Sequence, residues 1–289
     1  MITYILDAIT LLGGLAMFLY GMRLMGDGLK NGASATLKKA VERVTNNPIK
    51  AFLLGMAVTA IIQSSTATIV ITSGLVGAGI ITLDQSLGIV IGSNVGTTVT
   101  GQIIRLLDVK ADEGSVLQFF QPSTLAPLAL IIGMVILMGF KFNKSEVVGN
   151  IAIGFGILFS GLMSMTGAVG ALTAQGGPLE NVFSGLGNSP LLSYVSGAGT
   201  AFLLQSSSAT IGILQAFSGS GTLVFKSVFI ILVGIYLGDC VTTAIVCSIG
   251  AKEDARRVGI VNILFNLSET VLVLVVVNAA HGLGFLDGI

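Results

Sequence analysis

The chain has 289 residues, 53% of them apolar and only 10% charged, with 14 basic and 14 acidic side chains and a mean hydropathy of +0.95. A surface so poor in charge cannot face water on all sides, which excludes a soluble globular domain and makes lipid the solvent of most of the chain. The zero formal charge hides a clustering of basic residues in a few short segments, and no basic patch points to nucleic acid.

The first apolar stretch, Ile2 to Met22, carries Asp7 but no basic leader and no small-residue cleavage site, so it reads as a retained span. From Gly26 to Lys50, Leu29, Ala33, Leu37, Ala40, Val41 and Val44 form an apolar stripe with Lys30, Lys38, Lys39 and Arg43 turned away. This pattern predicts an interfacial helix, and a lipid or regulatory-partner contact is the alternative use of the same face. The charge-free run from Ala51 to Leu83 follows. As a helix, Ala51 to Ile62 reaches only about 18 Å at 1.5 Å per residue, short of the roughly 30 Å hydrocarbon core. A re-entrant hairpin over about residues 49–82 is therefore expected, with Gln63, Ser64, Ser65 and Thr66 at its tip. Further charge-free runs span Gly114 to Phe140, Val147 to Leu179 and Asn181 to Phe225. The last contains Leu191 to Leu204, then Gln205, Ser206, Ser207 and Ser208, then Ala209 to Phe217, which predicts a second hairpin over about residues 190–220. Cys240 and Cys247, seven apart in one apolar segment, fall on one helix face where they cannot easily bridge each other.

Laid on itself with a shift of 142, the chain aligns Pro48 with Pro190, Gly55 with Gly197, and the run from Gln63 with the run from Gln205. A shift of 140 upstream pairs Gly14 with Gly154 and Gly21 with Gly161; a shift of 145 downstream pairs Asn94, Thr97 and Thr98 with Asp239, Thr242 and Thr243. Such self-similarity marks an internal duplication, with halves at residues 1–140 and 141–289. Each half holds three spans and one hairpin. Three crossings is an odd number, so the halves enter the membrane from opposite sides. The expected fold is an all-α membrane protein of two inverted repeats forming one transmembrane domain. One face collects Lys30, Lys38, Lys39, Arg43, Lys50, Lys141, Lys144, Lys252, Arg256 and Arg257, against Arg105, Lys110 and Lys226 on the other. The richer face is cytoplasmic, which leaves both termini outside.

A single run of small hydroxyl residues would merely let helices approach. Two runs at equivalent breaks of apolar hairpins are the pattern of a midplane transport site. If helices begin near the tips, free N–H groups and positive dipole ends converge with the hydroxyls of Ser64, Ser65, Thr66, Ser206, Ser207 and Ser208 to form an oxyanion site. No arginine or lysine reaches that point from within the hairpins, so bound cations are expected to compensate a divalent anion. Gln63 and Gln205 carbonyls and the hydroxyls offer hard oxygen ligands for sodium. GSNVGTT at 92–98 and GDCVTT at 238–243 interrupt two spans. Asn94, Thr97, Thr98, Thr242 and Thr243 read either as further ion ligands or as glycine-mediated packing. Asp239 reads as a cation ligand or proton-sensing group, with a helix-breaking cap as the alternative. Glu269, the other intramembrane carboxylate, lines a polar seam with Asn262 and Asn266.

The paired QSSS-type hairpins, the G-x-N-x-G-T-T run and the opening LLGGLAMFLYGMRLMGDGLK together resemble the bacterial branch of the type II sodium–phosphate cotransporter family, over about Leu11 to Val277. The resemblance implies phosphate and sodium binding by Gln63 to Thr66 and Gln205 to Ser208, and an elevator-like or rocking motion of the hairpin unit. It places the protein in the bacterial inner membrane and implies a homodimer. Three departures stand out: Thr66 replaces a serine, GDCVTT lacks a glycine and puts Cys240 where asparagine is expected, and family members commonly continue past the position of Ile289. Their extension carries another span and often a cytoplasmic PhoU-like regulatory domain.

The single histidine, His281, lies far from the serines, and no GxSxG, HExxH, P-loop or metal-ligand cluster appears. An enzyme or ATP-driven pump is not expected, and no cofactor beyond sodium as co-substrate. The functional expectation is sodium-coupled uptake of inorganic phosphate. Transport of another small oxyanion, or phosphate sensing for a PhoU-like partner, are the alternatives.

Overall fold

A computed structural model describes residues 2–42, 47–105, 118–119, 121–140, 144–173, 185, 189–219, 223 and 225–282. Among them it is all-helical, in the order α1 (Ile2–Glu42), α2 (Pro48–Ile62), α3 (Ser65–Gly77), α4 (Leu83–Ile104), α5 (Pro122–Gly139), α6 (Ser145–Thr173), α7 (Pro190–Leu204), α8 (Ser207–Gly219), α9 (Phe225–Ser248) and α10 (Glu253–Gly282). Segments of α1, α4, α5, α6, α9 and α10 are each long and apolar enough to cross a bilayer. Ile131, Met138, Leu272 and Val275 lie exposed on α5 and α10, as lipid-facing surfaces require. The protein is an integral membrane protein.

α1 corrects one expectation. The span and the amphipathic stretch after it form one unbroken helix as far as Glu42, with no separate interfacial element starting at Gly26. Nothing between Met22 and Glu42 breaks it: no proline occurs, and the glycines at 26, 28 and 32 reduce helix propensity without ending a helix packed along one side. Side chains of the predicted stripe beyond Gly32, and Arg43, Lys110 and Lys141, lie outside the described residues.

The short helices begin and end as the duplication predicts. Asn47 caps α2, its Oδ1 accepting from the Ile49 and Lys50 N–H groups, and Ser189 caps α7 through the Leu192 N–H; Pro48 and Pro190 supply the first helical turn. α2 ends at Gln63 (φ 60°) and α7 at Gln205 (φ 53°), both in left-handed backbone. At 15 residues each, α2 and α7 extend about 22 Å, too short to span. They pack mainly along α4 and α9 rather than along their own partners α3 and α8.

Glycines set that packing. A β-carbon on Gly55 would overlap the Ile89 carbonyl and one on Gly92 the Phe52 carbonyl; in the second half Gly197 meets Ile231 and Gly234 meets Tyr194 in the same way. Gly96 against Met56 is matched by Gly238 against Ala198. Every one of these pairs is related by 142, so the register does not move to 145 downstream. This overturns the pairing of Asn94 with Asp239. Thr97 is the counterpart of Asp239, and Asn94 that of Tyr236. Nor is a glycine lost from the second half, because Gly234 and Gly238 repeat the four-residue spacing of Gly92 and Gly96. Sequence matching favoured the shared Thr-Thr pair, whereas backbone contact is decided by the glycines.

α1 and α6 cross antiparallel and reciprocally. A β-carbon on Gly14 would come to 2.8 Å from the Gly161 carbonyl, and one on Gly21 to 2.7 Å from that of Gly154. Around this crossing Phe18, Leu158, Phe159, Leu162 and Met165 form a buried core that reaches Ala209 and Ala216 of α8. The last helices of the halves are placed differently. α5 packs on α6, with Gly133 against Gly149, while α10 lies against α3, α4 and α9. The reason is chemical: α10 carries Asn262 and Asn266, which need amide partners on α4, and α5 has no polar group in its interior.

Valine at Gly92 or Gly234 is expected to force α4 from α2 or α9 from α7, destabilising the protein by about 1–3 kcal/mol and lowering its melting temperature in detergent. Alanine at Gly74 or Gly101, where nothing lies within 4 Å, is expected to leave it unchanged.

Candidate functional site

Each tip is a helix break followed by a capped restart. After Gln63, Ser64 Oγ accepts from the Ala67 N–H at 3.1 Å and the Thr68 hydroxyl donates to the Ser64 carbonyl at 3.0 Å. After Gln205, Ser206 Oγ accepts from the Ala209 N–H at 3.2 Å and the Thr210 hydroxyl donates to the Ser206 carbonyl at 2.8 Å. The capping leaves the first N–H groups of α3 and α8 without intrahelical acceptors, at the positive ends of the two helices. Thr68 also accepts from the Thr59 hydroxyl at 2.9 Å, which ties α3 back to α2.

The two tips meet at one carboxylate. Asp239 of α9 is 7% exposed, and Ser65 Oγ donates to its Oδ2 at 3.3 Å. The Ser207 hydroxyl and main-chain N–H and the Thr66 hydroxyl also face this carboxylate. Thr66 lies 2.9 Å from the Thr243 hydroxyl, hydroxyl to hydroxyl, and Thr243 in turn donates to the Asp239 carbonyl. Residues 174 positions apart thus share a buried oxygen cluster of one carboxylate and at least four hydroxyls. Among the described residues no group of three or more His, Cys, Asp or Glu side chains gathers. Any cation held here would rest on that single carboxylate and on neutral oxygens.

The remaining tip residues face elsewhere. Gln63, Ser64, Ser206 and Ser208 line an open cavity of about 350 Å³ together with Ala67, Thr100 and the α1 residues Leu19, Met22, Arg23, Gly26, Asp27 and Lys30. The serine runs are therefore divided: Ser64, Ser206 and Ser208 toward the cavity, Ser65 and Ser207 toward Asp239. Gln205 is exposed at its tip. Gln63 donates from Nε2 to the Ala60 carbonyl at 3.1 Å, leaving its side-chain oxygen free to accept.

The expectation that bound cations compensate an anion weighed only the basic residues within the hairpins; α1, outside them, brings two beside the tips. Arg23 and Lys30 line the same cavity, so charge compensation for an anion does not have to come from bound cations alone. The tip motifs carry no signal of this, because Arg23 and Lys30 precede them by more than thirty residues. The visible sign was Arg23, Asp27 and Lys30 at helical spacing in an otherwise apolar segment.

The other expected residues fall outside the shared cluster. Asn94 donates from Nδ2 to Asn262 Oδ1 at 2.9 Å and accepts from Asn266 Nδ2 at 3.3 Å, forming an amide seam between α4 and α10. Thr98 is exposed and donates to the Val95 carbonyl of its own helix. Thr97 and Thr242 are buried and donate to Ser93 and Gly238 carbonyls. Glu269 lines a separate cavity of about 90 Å³ with Tyr236, Asn266 and Thr270.

Comparison with known proteins follows the same lines. The Na+/Pi-cotransporter family model matches residues 17–167 and again 168–286. The "Putative inorganic phosphate export protein YjbB" of Escherichia coli K12 is 27% identical over 93% of this chain and 47% of its own length. "Uncharacterized protein YqeW" of Bacillus subtilis is 28% identical over 92% of the chain and 81% of its own length. Sheep "Sodium-dependent phosphate transport protein 2A" is 30% identical over 32% of the chain and 13% of its own length. The chain thus spans about half the length of the YjbB proteins it matches. No solved structure matches it. On two consecutive matches that cover most of its length, the chain belongs to the Na+/Pi-cotransporter family.

Proposed function

We propose that the chain is a secondary carrier of inorganic phosphate in which the two tips bind the anion on one side and sodium on the other. The observation that carries this reading is the division of the serine runs about Asp239. Ser64, Ser206 and Ser208, at the positive ends of α3 and α8, suit a tetrahedral oxyanion in the open cavity. Asp239, Ser65, Ser207, Thr66 and Thr243 offer hard oxygens to sodium a short distance behind it. A cation there would attract the anion across the tips, which couples the two without a conformational relay. Asn94, Thr97, Thr98, Gln205 and Thr242 have a weaker claim as sodium ligands, since their hydrogen bonds are local or they face away from this cluster.

The reciprocal crossing of α1 and α6 and the shared register of 142 support inverted repeats, and the short helices packed along α4 and α9 support a hairpin-bearing unit that moves in an elevator-like or rocking manner. With the termini outside and the basic loops in the cytoplasm, the cavity beside Arg23 and Lys30 opens inward. An inward sodium gradient drives uptake in this scheme, and reversal of the gradients drives export, the activity in the name of the YjbB relatives. A homodimer and a PhoU-like partner remain part of the proposal by analogy.

Radiolabelled phosphate uptake into proteoliposomes tests it. Uptake is expected with an inward sodium gradient and not with potassium, and Ser65→Ala and Ser207→Ala are each expected to lower it about tenfold or more while leaving a measurable remainder. Equal uptake with either cation would contradict sodium coupling; phosphate binding without exchange would favour a sensor.

The two faces of the tips are separable by kinetics. Ser64→Gly and Ser206→Gly remove a hydroxyl while glycine still serves as a tolerable cap. Each is expected to raise half-saturating phosphate by about tenfold, the scale of one charge-assisted hydrogen bond, with half-saturating sodium nearly unchanged. A change in sodium affinity as large as that in phosphate affinity would refute the division.

A further inference from the structure

The anion-facing cavity has an electrostatic difficulty that its serines do not solve. Behind the tips stands Asp239, buried and hydrogen-bonded to Ser65, and before a cation settles there a divalent oxyanion at Ser64, Ser206 and Ser208 gains no net attraction from it. Neutral hydroxyls and N–H groups orient an anion but bring no net charge. Within the described residues, the cations lining this cavity are Arg23 and Lys30 of α1. They lie on one helix face at positions i and i+7, with Asp27 between them at i+4, so all three project to the same side. α1 passes the first tip at Gly26, where a β-carbon would stand 3.9 Å from that of Gln63, an ordinary contact.

Arg23 is loosely paired. Its Nε lies 3.8 Å from Asp27 Oδ2, with 83% and 62% of the two side chains exposed. An exposed pair of that length is weak and easily exchanged. A guanidinium offers two parallel donors to a phosphate, a better match than one distant carboxylate oxygen.

Resting on the phosphate reading above, we propose that Arg23 and Lys30 form a fixed-charge anchor for the anion at the mouth of the tip site, with Asp27 as the internal competitor that occupies Arg23 when no anion is bound. Phosphate displaces Asp27 from Arg23 on entry and is released when Asp27 recaptures it. Weak pairing keeps the anchor from holding its cargo too tightly for turnover. Arg23 and Lys30 thereby act as recruiting residues for phosphate, independent of the sodium cluster on the far side of the tips.

The test is calorimetric titration of inorganic phosphate into the purified chain, together with uptake in proteoliposomes at varied phosphate and sodium. Arg23→Gln is expected to weaken phosphate binding about tenfold and Lys30→Gln several-fold, on the scale of charge-assisted contacts, with half-saturating sodium unchanged. Arg23→Lys is expected to restore part of the loss. Asp27→Asn is expected to tighten phosphate binding a few-fold, a gain that misfolding cannot mimic. Unchanged phosphate affinity in both Arg23→Gln and Lys30→Gln would overturn the anchor, as would weaker binding in Asp27→Asn. A parent that binds phosphate, with Ser64→Gly weakened but Arg23→Gln not, would leave the tip site standing and remove the anchor. A parent that neither binds nor moves phosphate would overturn both.

Discussion

One carboxylate organises the site. Asp239 is nearly closed to solvent inside a membrane-spanning helix, where an unpaired charge is costly, and the groups that meet it come from both broken helices. Ser65 reaches it from the first half and Ser207 from the second. Satisfying this one carboxyl group brings the tips together, so the burial that makes Asp239 expensive also holds the two halves in register. The broken helices have a matching need. Their first N–H groups lack intrahelical partners, and lipid offers none. Each tip is tolerable only where oxygens of the other elements, or a cavity open to water and ions, take the place of the missing turn. The Asp239 cluster does this on one side and the α1-lined cavity on the other.

Close backbone packing makes that convergence accurate. Gly55, Gly92 and Gly96 let α2 lie against α4 with no side chain between them, and Gly197, Gly234 and Gly238 repeat the contact for α7 and α9. Lipid supplies no hydrophobic drive between helices, so such contact is the main source of their association. The tip of α2 therefore sits at a height fixed by α4, and the tip of α7 at one fixed by α9, which also carries Asp239. The second tip and the carboxylate are thus parts of one packed pair, and the first is brought to them by α3, which contacts α9 and α10.

Much of this was legible in the sequence because membrane burial writes itself in composition. The spans, the two short broken helices, the duplication and the burial of Asp239 all follow from apolar length, repeated polar breaks and a carboxylate set deep within a span. Three features were not legible. The register of the second half was misread because a matched Thr-Thr pair outweighs a glycine in alignment, whereas Gly234 decides where backbones touch. The continuous α1 was read as two elements because the stripe changes character near Gly26, although nothing there ends a helix. Arg23 and Lys30 were missed at the cavity because closeness between α1 and the tips depends on the α1–α6 crossing, a contact between halves that no local pattern encodes. Asn94 shows the opposite limit: its amide was visible as polar in a span, but its partners, Asn262 and Asn266, are set by where α10 docks.

The central claim is that Asp239 and the two tips act as one unit, and a double-mutant cycle on sodium-dependent phosphate uptake tests it most directly. Asp239→Asn would be combined in turn with Ser65→Ala and with Ser207→Ala. Both double variants are predicted to lose no more activity than the worse single variant, a coupling of about 1 kcal/mol or more for each serine. Losses that simply multiply, for either serine, would show that its tip works apart from the carboxylate and would contradict the account.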